Sequence, residues 1–328
     1  MQNSKLSIGY FAYPNPTIKN KIPDSKFYKY KQVFYQKNPP VINDNFQTSG
    51  RLEQSVTKSQ YIKKIKKIKE LLSAGEIYQM CYCIRFRKKF EGNPYALYLK
   101  LVDINPTDFS AYLNCGDFQI ISSSPERLLK VQNGKIITQP IKGTADKKSL
   151  KYLLNSEKER AELDMITDLE RNDVGKICKY GTLKLTKERE LLEMRNIWHT
   201  YSEVQGKLQP NVGLKEIIFA MFPSGSITGC PKKRAMEYIE KLEGMPRNIF
   251  TGSIGYISNC GTGFAVGLAS PWGHSVMDEY NNSFHATKGA APRDKRSCPT
   301  IVKWISTSAS AQLSFVMAIL NTGRGEEL

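Results

Sequence analysis

Apolar residues in "KSQYIKKIKKIKELLSAGE" return at Ile62, Ile65, Ile68, Leu71 and Leu72, with lysines between them. That spacing puts the five on one helical face and predicts a helix over 58–74, ended by Gly75. The next stretch, "EIYQMCYCIRFRKKF", alternates and reads as a strand, which sends Cys81 and Cys83 to one face. A short helix near 94–103 leads to two strands, "FSAYLNC" and "FQIISSS", joined through Gly116 and Asp117. "ERLLKVQNGKIITQPI" predicts a hairpin turning at Asn133 and Gly134. "SEKERAELDMITDLERNDVGKIC" returns to helical spacing, with Ser156 as cap and Glu159 completing a capping box. Strands follow in "GTLKLTKERELLEM" and "IWHTYSEVQGKL", then helices at about 213–221 and 231–242, the second with Pro231 in its first turn. "GSIGYIS" is a further strand.

The first fifty residues, rich in Tyr, Pro, Asn and Lys, have weak periodicity and read as short strands and loops. From Phe264 onward the pattern breaks again, with Pro271, Pro292 and Pro299 scattered among polar residues. Long strands mixed with helices, without regular alternation, predict an α+β fold rather than a doubly wound sheet.

Composition narrows the class. The 328 residues are 40% hydrophobic, enough for a sizeable core, and carry 48 basic against 31 acidic side chains, a formal +17. Such a charge attracts anions in general. The lysine run at 63–67 lies on the solvent face of the first helix, and no nucleic-acid motif accompanies it, so a nucleic-acid partner is not expected. Seven cysteines without a Cys-x-x-Cys pair indicate neither a metal framework nor a disulfide ladder, as in a reduced, cytoplasmic protein. The N-terminus has no apolar signal core and no segment is long enough to span a bilayer, so no membrane association is expected.

Three stretches hold residues able to do chemistry. In "FPSGSITGCPKKRAMEYIEKLE" small residues run into a helix start, where backbone N–H groups favour an anion; Ser226, Thr228 and Lys232 add donors. A capped glycine loop is the plainer reading. In "AELDMITDLERND" the carboxylates Glu162, Asp168 and Asp173 project from one helix and could hold Mg²⁺, or could simply pair with Arg160 and Arg171. "SSSPERLL" places Glu126 across the hairpin from Lys142, as a general acid beside a nucleophile or as a cross-strand ion pair.

Taken in order, "GEIYQM", "SSSPERLL", "PIKGT", "AELDMITDLERNDVGKIC", "IWH", "FPSGSITGCPKKRAMEYIEKLEG" and "FTGSIGYIS" resemble the chorismate-utilising enzymes, over about 9–263. The resemblance implies a large α+β chorismate-binding domain, with two β-sheets flanked by helices and the site between them. Isochorismate and salicylate synthases carry a lysine base in the "GEIYQ" block, where this chain has Gln79. Anthranilate synthases typically have alanine in the "PIKGT" block; Lys142 sorts the chain with the aminodeoxychorismate synthase component I branch. The resemblance then implies Lys142 as nucleophile, Glu126 as general acid, and Thr144, His199, Gly225 and Ser226 as substrate contacts. It implies Glu162 as a Mg²⁺ ligand, chorismate as substrate, and ammonia from a glutamine amidotransferase partner, on the route to 4-aminobenzoate and folate.

The chain also departs from that family. Asn248 and Phe250 stand where the family has Gly and Tyr. After Gly263 the expected arginine, triple-glycine turn and second metal-binding glutamate are not found. The expectation is therefore a chorismate-binding domain over 1–263, shortened at its N-terminus and incomplete, then a tail over 264–328 from a shifted frame, a fusion or decay. It is also that the central β structure lacks a strand and a helix. A catalytically inactive family member, a non-catalytic protein that keeps the amidotransferase surface, and an anthranilate synthase component I-like enzyme are the competing readings.

Overall fold

The side chain of Thr57 accepts from the backbone of Gln60 while the Gln60 side chain answers the Thr57 N–H, and this capping box opens helix α1 (Lys58–Ser73). Gly75, at φ 71°, closes it: the Gly75 N–H donates to the Leu72 carbonyl and Glu76 N–H to that of Leu71. The structure, a computed structural model, describes residues 6–14, 25–30, 45–115, 118–258, 263–268, 300–307, 313–314 and 317–321. The Gly116 and Asp117 connection falls outside them. Ile68 and Leu71 are buried, but Ile62 is exposed. The stripe that packs is Tyr61, Ile65, Ile68 and Leu72, and Tyr61 rather than Ile62 meets the Tyr82 ring.

In chain order the early strands are β1 (Leu6–Phe11), β2 (Ser25–Tyr30), β3 (Phe46–Gln54), β4 (Gln79–Met80) and β5 (Tyr82–Gly92). Helix α2 (Pro94–Ile104) precedes β6 (Ala111–Asn114), β7 (Phe118–Ser122), β8 (Arg127–Gln132), β9 (Lys135–Gln139) and β10 (Ile141–Asp146). After α3 (Leu150–Asn155) and α4 (Glu157–Gly175) come β11 (Lys184–Glu193) and β12 (Ile197–Lys207). Helix α5 (Leu214–Met221), β13 (Gly229–Cys230), α6 (Lys232–Glu243) and β14 (Ser253–Ser258) follow. The last strands are β15 (Gly263–Leu268), β16 (Thr300–Thr307), β17 (Leu313–Ser314) and β18 (Met317–Asn321).

Two large antiparallel sheets and a separate two-stranded pair, β4 with β13, result, in keeping with the α+β expectation. One runs β10-β12-β9-β8-β15-β14-β1-β2 with β11 beside β12; the other runs β3-β5-β16-β18-β7-β6 with β17 beside β16. Asn133 (φ 52°) and Gly134 (φ 71°) make the β8–β9 turn with two left-handed residues, as a tight hairpin needs. The tail differs from the irregular segment its pattern predicts. β15 begins at residue 263 and pairs with both β14 and β8, and β16 and β18 lie between β5 and β7. An unpaired β5 edge would leave a row of backbone donors and acceptors open, and β16 satisfies them from Tyr82 to Lys89.

Helices α4 and α5 cover the first sheet through Val174, Ile217, Ile218 and Met221, packed on Leu128, Leu129 and Ile136. A second cluster holds Cys83, Leu113, Ile120, Ile249 and Phe250. Phe250, where the resemblance expects a phenol, is fully buried there. No helix among the described residues is long and apolar enough to cross a membrane.

Candidate functional site

Strand β10 positions the lysine. Lys142 pairs with Thr200 and Thr144 with His199 on β12, so three residues of β10 face two of β12 and Gly143 is the extra one. Gly143 sits at φ 78°, and a Cβ there would come 2.7 Å from Thr200 Oγ1 and 3.0 Å from Leu153 Cδ1. Such a bulge suits glycine and re-aims the side chains on either side. Beyond it, Thr144 Oγ1 lies 2.9 Å from His199 Nδ1, and Gly143 O lies 3.3 Å from the same nitrogen. A carbonyl can only accept, so that contact puts the ring proton on Nδ1.

The Lys142 side chain is 3% exposed and ends against the turn Gly225–Ile227. Its Nζ donates to Ser226 O and to Ser226 Oγ, each at 2.9 Å. Glu126, at the Ser-Pro corner before β8, is also buried, and its Oε1 accepts from the backbone N–H of Ile141 at 3.3 Å. The hairpin thus brings Glu126 to the residue preceding Lys142. All six residues are buried: Lys142 meets Ser226 beside Gly225, Thr144 meets His199, and Glu126 meets the backbone next to Lys142.

The turn is held from two sides. From α4, Glu170 Oε1 accepts from Ser224 Oγ at 2.9 Å and Gly225 N at 3.2 Å. A Cβ on Gly225 would stand 2.3 Å from Leu169 Cδ2, so glycine is what lets α4 approach this closely. From the other side, Arg247 Nη1 donates to Ile227 O at 2.9 Å. The helix-start reading of this loop needs correction. Gly225 N donates to Glu170, Ser226 N to Ser224 Oγ and Thr228 N to Gly225 O, while Lys232 pairs with buried Asp173. Pro231 is the N-cap of α6 rather than its first-turn residue. The loop's polar groups mostly serve its own structure, and what it offers the site is the Ser226 carbonyl and hydroxyl.

Helix α4 buries Glu159, Leu163, Ile166, Glu170 and Asp173 at spacings of four and three. Glu162, the predicted metal ligand, is half-buried beside that stripe. Ser156 accepts from Glu159 N as expected, yet the Glu159 carboxylate lies 3.5 Å from Lys158 Nζ and is buried. Burial first, and then the charge of Glu162, push the Glu159 carboxyl upward, while Lys158 and Lys142 oppose this. Asp168 is exposed and paired with Arg171, the plainer of its two readings. Sequence reasoning assigns Glu159 only to a cap and passes over Glu170, although their four-and-three spacing with Leu163 and Ile166 is a legible signal. Among the described residues, no group of three or more His, Cys, Asp or Glu side chains could hold a metal ion.

Residues 12–272 match the family described as chorismate binding enzyme. Aminodeoxychorismate synthase component 1 of Bacillus subtilis is 36% identical over 243 residues, covering 71% of this chain and 52% of that protein. Anthranilate synthase component 1 of Aquifex aeolicus is 39% identical over 210 residues, 62% of this chain and 42% of that one. The chain spans about half the length of the curated relatives it matches. Among solved structures, anthranilate synthase component I from Streptococcus pneumoniae superposes with a TM-score of 0.72 at 23% identity, covering 92% of this chain and 75% of that chain.

Proposed function

The chain belongs to the chorismate binding enzymes, and we propose that within that family it is aminodeoxychorismate synthase component I, which replaces the C4 hydroxyl of chorismate by an amino group. The observation that carries the reading is Lys142: a buried amine, held at 2.9 Å by both oxygens of Ser226, with buried Glu126 accepting from the backbone N–H of the residue before it. An ion-pairing lysine would be expected at the surface, since long cations are rarely buried without a reason.

The chemistry follows from these groups. As a neutral amine, Lys142 adds at C2, the ring double bonds shift, and the hydroxyl leaves from C4. Hydroxide is a poor leaving group, so Glu126 gives it a proton and water departs. Ammonia then adds at C4, Lys142 leaves C2, and Glu126 recovers a proton from the new ammonium. The two Ser226 oxygens can hold the N–H groups of the neutral amine while its lone pair attacks, which orients it. His199, tethered through Nδ1 to Thr144 and Gly143, presents its other ring nitrogen without being able to swing. Glu162 and Glu159 fit Mg²⁺, which commonly takes one or two carboxylates plus water and substrate oxygens. The raised Glu159 carboxyl supports this, since a cation would relieve two crowded carboxylates. When bound, Mg²⁺ would screen the ring carboxylate.

The relatives' designation as component 1 supports a separate ammonia-supplying component, for which we take a glutamine amidotransferase. Anthranilate synthases among the relatives favour the competing activity, and product identity separates the two. Chorismate is incubated with ammonium salt, Mg²⁺ and the purified chain, product mass is read directly, and Lys142→Ala serves as control. Aminodeoxychorismate that disappears with Lys142→Ala is expected. Anthranilate from both proteins, or no consumption by a folded protein, would overturn the assignment.

A further inference from the structure

Glu170 occupies a place where α4 calls for an apolar side chain. It continues the buried stripe of Leu163 and Ile166 toward Val174 and is 1% exposed. A carboxylate in such a position costs stability unless its oxygens are well used. They are used on the turn before the site. Oε1 accepts from Ser224 Oγ and Gly225 N, and Oε2 accepts from Thr138 Oγ1 at 3.5 Å on β9. Ser224 Oγ in turn accepts from Ser226 N at 3.1 Å. Ser226 then presents its carbonyl and hydroxyl to Lys142. One unbroken chain of hydrogen bonds therefore runs from α4 through the turn to the amine.

We propose that Glu170 is a positioning residue for Lys142: its carboxylate fixes the Ser224 and Gly225 backbone, so that Ser226 holds the amine in one place. The inference rests on the reading of Lys142 as nucleophile, but the geometry it invokes exists apart from turnover. Groups facing Glu170 come from each neighbouring element. They are Lys232 at the start of α6, Asp173 on its own helix, Glu126 at the corner before β8, Thr138 on β9 and Ser224 on the turn. Lys232 is itself paired with Asp173, which dilutes its hold on Glu170. Acceptance from the turn, rather than pairing with the lysine, is thus what the carboxylate contributes.

The test uses the full chain with Glu170→Leu and Glu170→Gln. Leucine suits the stripe and removes both acceptors, whereas glutamine keeps one oxygen for Ser224 and Gly225. Glu170→Leu is expected to lower kcat about 10- to 100-fold, with KM for chorismate within about threefold and unfolding no easier than wild type. Glu170→Gln is expected to restore kcat to within about threefold of wild type. A residue with a merely structural role would lose stability and activity together. A second readout is independent of turnover: the rate at which acetic anhydride modifies Lys142, followed by peptide mass, with exposed Lys63 as reference. The Lys142 rate should rise about threefold or more in Glu170→Leu and stay near wild type in Glu170→Gln. An unchanged rate in Glu170→Leu, or Gln behaving like Leu, would overturn the positioning role. If wild type does not aminate chorismate but the labelling rates still part, the functional reading fails while the positioning role stands.

Discussion

Arg247 ties the Gly225–Ile227 turn to the rest of the molecule, and the structure sets the cost of removing it. The side chain is 3% exposed, and Glu243, four residues earlier, is 5% exposed. Arg247 Nε and Nη2 grip the two oxygens of Glu243 at 2.9 and 2.6 Å; Nη2 also donates to Cys81 O at 2.6 Å. Nη1 donates to Ile227 O at 2.9 Å and to Thr251 Oγ1 at 3.2 Å. Arg247→Met would fill much of the volume but leave Glu243 as a buried charge that keeps the Cys83 N–H donor at 2.9 Å. Breaking one half of a buried pair costs about 3–5 kcal/mol. The carbonyls of Cys81 and Ile227 add to that, because each buried acceptor left without a donor costs about 1–3 kcal/mol before relaxation. A total stability of about 5–15 kcal/mol makes this a large fraction. Equilibrium urea unfolding of wild type, Arg247→Met, Glu243→Met and the double variant closes a cycle. The double variant should recover much of the single-variant loss, since replacing both charges by apolar groups is often neutral or better. An Arg247→Met loss below about 1 kcal/mol, as for a surface ion pair, would refute the reasoning. So would a double variant no more stable than the singles. Because Ile227 follows Ser226, the double variant should also bind chorismate more weakly even where it is stable.

Two further predictions concern the site. Gly143→Ala must place a Cβ 2.7 Å from Thr200 Oγ1 at a φ that favours glycine. It should cost about 1–3 kcal/mol in urea unfolding and move Lys142, so that kcat falls, while a distant surface variant such as Lys63→Ala keeps wild-type activity. Glu170 predicts a pH dependence of stability: burial raises its carboxyl from 4.5 to about 7, with Asp173 adding to the rise and Lys232 opposing it. The folded state therefore binds this proton more tightly than the unfolded chain does. Its stabilising contribution is complete below about pH 4.5 and is lost as pH rises through about 7, by at most about 3 kcal/mol. Glu170→Gln should accordingly gain over wild type at pH 8 relative to pH 5 in thermal or urea unfolding, and equal gains at both would refute it.

How much was legible beforehand depended on the range of the interaction. The α1 cap, the Gly75 stop, the Asn133 and Gly134 turn and the Ser156 cap are local, because each needs only backbone donors within four residues and a side chain able to meet them. The family blocks likewise marked Lys142, Glu126, Thr144, His199, Gly225 and Ser226; the fold buries all six and pairs Lys142 with Ser226 and Thr144 with His199. Other matters were not local. Whether Ile62 or Tyr61 packs depends on where α1 meets β5, and whether Glu159 closes a cap or is buried depends on what that face of α4 packs against.

The amino-acid sequence by itself determined the local elements and the mixed α+β class, since periodicity, capping and turn geometry are written in neighbours. Only the tertiary structure decided that Lys232 is taken by Asp173, that Glu170 and Arg247 clamp one turn from opposite sides, and that β16 covers the open edge of β5. Those outcomes hinge on which groups far apart in the chain are desolvated together. A buried charge must find its partner among whatever the fold brings near, and no spacing along the chain specifies that partner.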